Sequence, residues 1–177
     1  MKKRNGFTLV ELLAVIVVLA IIMIIAIPAV LDIMNNARRK SFALSIDKYV
    51  TAVQSKYITD ANFGNLKGAG IYVYNIKSDL GLQSVGDNEG YIVVNATNVD
   101  DPVYVIYLHD SNYMIADYAV GTSKNANKLP DKDSEDIHDF NATFWNEHAG
   151  NELLACHSLY PDATCISADG YQLSAGN

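Results

Sequence analysis

The sequence predicts an α+β protein: one long N-terminal helix, membrane-spanning in its first half, with an antiparallel sheet packed against its second half. Three observations carry that expectation. From Phe7 to Leu31 the chain reads FTLVELLAVIVVLAIIMIIAIPAVL, 25 residues with one charge, Glu11. The next segment turns amphipathic, with apolar residues at three- and four-residue steps. Beyond Gly90 come three runs rich in Val, Ile and Tyr, broken by polar turns.

The first run has the length of a membrane span. Leu12 to Leu31 is uncharged and gives roughly 30 Å of helix, the thickness of a bilayer core. A cleavable secretory signal has a shorter apolar stretch and a small-x-small cleavage site, which Ala26-Ile27-Pro28 does not supply. Basic residues flank the span almost equally, Lys2, Lys3 and Arg4 before it and Arg38, Arg39 and Lys40 after it, so charge alone barely orients it. Two cysteines in the C-terminal part favour that part lying outside, with the N-terminus inside. Glu11 stands out in this run. A carboxylate in a membrane helix costs about 2.5–3.5 kcal/mol near the helix centre and less towards an end, and by default marks function. Pro28 removes one helical hydrogen bond and predicts a kink, tolerated where neighbouring groups take up the freed carbonyl.

Phe42, Ile46, Tyr49, Val50, Val53 and Tyr57 form one apolar helical face, with Arg38, Arg39, Lys40, Asp47, Lys48, Gln54 and Lys56 between them. No glycine interrupts before Gly64, so the helix is expected over 7–59. The expected organisation is a basic leader at 1–6, an apolar half-helix at 7–34 and a globular head at 35–177. Within the head, 35–59 is the amphipathic half-helix, 60–90 a connecting loop, 91–120 the sheet and 121–177 a C-terminal region. Ile71–Ile76 reads as a short strand inside the loop. Tyr91–Thr97, Val103–His109 and Tyr113–Val120 read as a meander, the last two joined by Asp110-Ser111-Asn112. Ser134 is placed to cap a short helix carrying Ile137, Phe140 and Phe144.

The leader and first helix, KKRNGFTLVELLAVIVVLAIIMIIAIPAV, resemble the class III signal and N-terminal helix of type IV pilins and the related pseudopilins, over about the first 45 residues. The resemblance implies the pilin fold and a structural role, not an enzyme. It implies cleavage between Gly6 and Phe7 by a membrane prepilin peptidase, which also N-methylates Phe7. It further implies that Glu11 pairs with the Phe7 amine of a neighbouring subunit, and that the segment around Ala20–Pro28 unwinds as the subunit enters a filament. Partners would be further copies of the chain in a helical filament, the peptidase, the assembly platform and the membrane. The precursor would sit in the cytoplasmic membrane and the product in an extracellular pilus for adhesion, motility or biofilm formation. A pseudopilin of type II secretion or competence shares the same pattern. A membrane-anchored extracellular enzyme or binding module is the alternative from another class.

Other features weigh less. Cys156 and Cys165 read most simply as one disulfide closing a small loop, the alternatives being a metal pair or a reactive thiol. The chain has 13 Lys+Arg against 20 Asp+Glu, net −7; losing Lys2, Lys3 and Arg4 makes it more acidic still. That argues against nucleic acid as a partner. Asp131-Lys132-Asp133-Ser134-Glu135-Asp136 alternates acids as a calcium loop does, but Asp136 and Ala142 stand where an EF-hand needs Gly and Glu. His109, His138, His148 and His157 lack metal-ligand spacing. No cofactor and no metal are expected. Asn95-Ala96-Thr97 and Asn141-Ala142-Thr143 match a glycosylation sequon, a short and common pattern. The tyrosines of the strands fit sheet packing better than a binding surface.

Overall fold

In the computed structural model, residues 8–64, 66, 68–82, 86–121 and 129–174 are described. The chain divides into two units, Met1–Arg39 and Lys40–Asn177. Helix α1 is assigned over Leu9–Phe63. In the first unit its apolar residues are exposed on every side, from Leu9 at 81% to Met34 at 44%. A helix that is apolar all round and buries nothing against its own chain needs another apolar phase around it.

The second unit is α+β. Its part of α1 turns Phe42, Ala43, Ile46, Tyr49, Val50, Val53 and Tyr57 inward, the face that the 3–4 spacing specified. The sheet has six strands in the order β5-β4-β3-β2-β1-β6. These are β1 (Ile71–Asn75), β2 (Glu89–Asn95), β3 (Val103–His109), β4 (Tyr113–Val120), β5 (His138–Asp139) and β6 (Cys165–Ser167). All neighbours run antiparallel except β1 and β6, which are parallel. Among the described residues the unit also has two short helices, α2 (Ala142–His148) and α3 (Glu152–His157).

The sheet is buried on both faces. Tyr72, Tyr74, Ile92, Val94, Tyr104, Ile106, Leu108 and Ile115 pack in one core cluster with the α1 residues. Val73, Val93, Val105 and Tyr107 point the other way, into a second cluster with Trp145, Ala149, Ala155 and the two cysteines. This two-sided burial explains why β3 reads VYVIYL without polar alternation. Cys156 in α3 and Cys165 at the head of β6 form a disulfide, which fastens the outer layer to the sheet edge. Closing so short a loop stabilises by roughly 2–3 kcal/mol on the chain-entropy model.

Several boundaries differ from those expected, for local reasons. The helix runs past residue 59 because Asp60 faces inward, accepting from Lys56 Nζ at 2.7 Å and Tyr74 Oη at 3.2 Å. Burial beside that carboxylate raises the Tyr74 phenol well above its ordinary value. Gly64 N–H then bonds to Asp60 O and closes the helix. The first strand ends one residue early, at Asn75, whose side chain accepts from Lys77 N–H to start a turn; it is a full member of the sheet rather than a loop strand. The second strand covers 89–95, not 91–97, because Asn95 Oδ1 accepts from Thr97 N–H and Oγ1 and turns the chain. Residues 134–137 form a turn, and α2 starts instead after Asn141, whose side chain accepts from Thr143 and Phe144 N–H. The sequence reading contained neither α3 nor the two edge strands.

Gly90 shows how tightly β2 and β3 approach. Its φ is 144°, and a Cβ there would lie 2.0 Å from the Tyr107 carbonyl oxygen. Gly81 has φ 60° but open space around it. Gly90→Ala should therefore destabilise the head by about 3 kcal/mol or more, against about 1 kcal/mol for Gly81→Ala. Urea unfolding followed by far-UV circular dichroism checks the order; equal costs would refute it.

Candidate functional site

Thr8 and Glu11 build the start of α1 together. The Glu11 carboxylate accepts from Thr8 N–H at 2.8 Å and from Thr8 Oγ1 at 2.9 Å, through the same oxygen, Oε2. In return Glu11 N–H donates to Thr8 Oγ1 at 3.3 Å, and Leu12 N–H reaches Thr8 O at 3.3 Å. This is a capping box, in which two backbone donors that a helix start leaves unsatisfied are met reciprocally. Glu11 thus has a partner within its own chain, three residues back. The Thr8-Leu9-Val10-Glu11 spacing already carried this pairing, although the sequence reading named only Glu11. Gly6 and Phe7 lie outside the described residues.

Pro28 sits inside α1 and has no amide hydrogen to donate to the Ile24 carbonyl. Nothing of this half-helix is buried in its own chain, and it is long and apolar enough to cross a membrane. The acidic 131–136 loop and the histidines make local contacts. In the 131–136 loop Asp131 accepts from Asp133 N–H, Asp133 pairs with Lys132, and Asp136 accepts from Ser134 Oγ. His109 stacks on Phe140 and meets Trp145 edge-on, and His148 stacks on Phe144. Among the described residues, no three His, Cys, Asp or Glu side chains are grouped to hold a metal ion. In the two sequons, Asn95 forms the turn described above and Asn141 caps α2. Tyr49, Tyr57, Tyr72, Tyr74, Tyr104, Tyr107 and Tyr113 are buried in the core. Burial pushes the Tyr104 phenol up to about 12.

One acidic group in the head is held against its charge. Glu152, at the start of α3, is raised above the usual carboxylate range by burial and then by Asp79, with Asp169 adding to it; a hydrogen bond from Asn75 works the other way. Glu89 moves in the opposite direction, lowered by its hydrogen bond and ion pair with Lys77 at 2.5 Å.

Residues 1–27 match the family model described as the prokaryotic N-terminal methylation motif. That motif is the class III signal of type IV pilins and pseudopilins, and it implies processing by prepilin peptidase and assembly into a pilus-like filament. No curated protein and no solved structure matches the chain.

Two measurements test this electrostatic layout. Thr8→Val removes the cap hydroxyl, worth about 1 kcal/mol, so amide exchange in the first turn of α1 should quicken about fivefold in micelles, with the head unchanged. Glu152 binds its proton more tightly when folded. Its contribution to stability is therefore complete below the unfolded carboxylate range and is lost as pH rises through the raised folded value. Glu152→Gln should raise the melting temperature at pH 7 and have little effect at pH 4. A lowered melting temperature at pH 7 would contradict the burial argument.

Proposed function

We propose that the chain is the precursor of a pilus-building subunit of the type IV class. It enters the membrane through the first half of α1, is cleaved after Gly6 and N-methylated at Phe7, and polymerises with copies of itself into a surface filament for adhesion, motility or biofilm formation. Its role is structural, without catalysis. The observation that carries this reading is the methylation motif fused to an apolar half-helix that finds no burial in its own chain.

Glu11 is the residue on which assembly turns. Before cleavage the capping box satisfies its carboxylate within the subunit. Cleavage creates a cationic amine on Phe7, and a neighbour's amine can then meet the oxygen that Thr8 does not occupy. Two charges that are each costly in an apolar bundle become tolerable when paired with good geometry, and a subunit out of register leaves both unpaired. Pro28 then supplies the point at which the helix loosens as it leaves lipid for the filament core.

The head favours a pilus over a secretion or competence pseudopilin. Its outer layer, closed by the Cys156–Cys165 bond, suits an exposed fibre surface. Mass spectrometry of the mature protein should find N-methyl-Phe7 as its first residue. Glu11→Ala should insert and fold normally yet give at least tenfold fewer sheared surface fibres. Normal fibre yield from that variant would defeat the pairing, and a mature chain that begins elsewhere would defeat the whole reading.

A further inference from the structure

On the sheet face turned away from α1, the β4–β5 edge and the start of α2 enclose a recess of about 430 Å³. That volume falls in the range of small-ligand sites, roughly 300–1,000 Å³. The recess is made by a break in β4. Ile106 pairs with Tyr118 and Leu108 with Ile115, so Ala116 and Asp117 together oppose Tyr107, the two-against-one count of a β-bulge. Asp117 is the extra residue, at φ 56°, and its carboxylate accepts from the Tyr107 hydroxyl. That bond fixes Asp117 at the recess wall.

The lining has a definite chemical character. Asp117 and Asp139 supply two carboxylates, His138 an imidazole, and Phe144 a half-buried aromatic ring, over a floor of Met114 and Ala116. Among the described residues, no Lys or Arg lines it. The recess of similar size beside α1 differs in this respect, since Lys40 and Lys132 line it along with Asp47, Asp131 and Asp133. Two carboxylates beside an aromatic wall, with no Lys or Arg among the described lining residues, suit a cation that also has an apolar side. Charge-assisted hydrogen bonds to the carboxylates and attraction to the aromatic ring are the interactions that such an ammonium group can make.

We propose that this recess binds a protonated primary amine carried on a sugar ring or an alkyl chain, with Asp117 and Asp139 taking the ammonium and Phe144 the ring or chain beside it. The site lies on the opposite sheet face from the α1 residues of the head, so its occupancy does not depend on how α1 is packed.

Trp145, the sole tryptophan, follows Phe144 directly in α2 and supplies the fluorescence readout, with isothermal titration calorimetry run beside it. The full chain in neutral detergent micelles, at about 0.15 M salt to screen diffuse attraction, is titrated with a glucosamine tetramer, its fully N-acetylated counterpart and spermidine. The glucosamine oligomer should give a saturable change in Trp145 fluorescence, with affinity at least tenfold above the acetylated form. Asp139→Asn, at the exposed edge, should weaken it about tenfold, and Asp100→Asn in the β2–β3 loop should leave it unchanged. Asp117→Asn should weaken it similarly; if that variant loses its near-UV circular dichroism, Asp139→Asn alone decides. Spermidine binding as tightly as the sugar would assign recognition to the amine alone, and weaker spermidine binding would assign a share to the ring. No saturable response to any amine, equal affinity for the acetylated oligomer, or an unchanged Asp139→Asn would each overturn the proposal.

Discussion

A carboxylate at the head of an apolar helix must be hydrogen-bonded in every environment that helix meets, and Glu11 satisfies this within its own chain. Thr8 gives it two donors to one oxygen, at 2.8 and 2.9 Å. A bilayer offers few donors, and an isolated buried carboxylate is expensive. The capping box therefore lets the precursor carry the acid before any partner exists. It also leaves the second oxygen outside the Thr8 interaction, so an incoming ammonium can add to the cap without displacing it. Under this reading assembly does not have to break a stable arrangement before making a better one.

The same chain divides its stability in two. The half-helix from Leu9 to Met34 leaves its large apolar side chains exposed, so it draws no hydrophobic stabilisation from packing within the described chain. The head stands alone, with both faces of its sheet covered and its short outer layer fastened by a disulfide. Such a division suits a subunit that must stay folded while its helix changes surroundings. Weakening the helix contacts changes where the subunit resides, whereas weakening the head changes whether it folds.

Much of this was legible in the sequence, and the misses share a cause. The run 42–57 announced its helix because period and burial agree there, and 103–109 announced its strand as a short unbroken run of Val, Ile, Tyr and Leu between turns. Short elements failed because their signals are tertiary. β5 and β6 have two and three residues and exist only because β4 and β1 offer edges to pair with. The helix at 152–157 is a single turn and a half that stands on the disulfide and on the underside of β1 and β2. Ser134 looked like a cap, but Asn141 does that work seven residues later, since Ile137 is drawn into the α1 side of the core. At the helix start the sequence reading caught the acid and missed its hydroxyl partner, although a Thr three residues before a Glu is a capping pattern in its own right.

The bulge in β4 is where local sequence rules fail most plainly. Residues 113–120 alternate as a regular strand should until Asp117, which takes a positive φ that non-glycine residues rarely adopt. Regular alternation would bring Asp117 to the α1 face, where Ile115 and Val120 are buried in the hydrophobic core. The bulge shifts the register by one, sends Tyr118 to that face instead and turns the carboxylate outward to the Tyr107 hydroxyl. Tyr107 needs such a partner, because its ring is fully buried in the outer core and an unpaired hydroxyl there would be costly. Burial and the Asp117 carboxylate together raise that phenol well above its ordinary value, which keeps it a donor at any physiological pH. The irregular strand, the buried hydroxyl and the outward-facing acid are therefore one solution to one packing problem, and the recess beside them is its by-product in the fold.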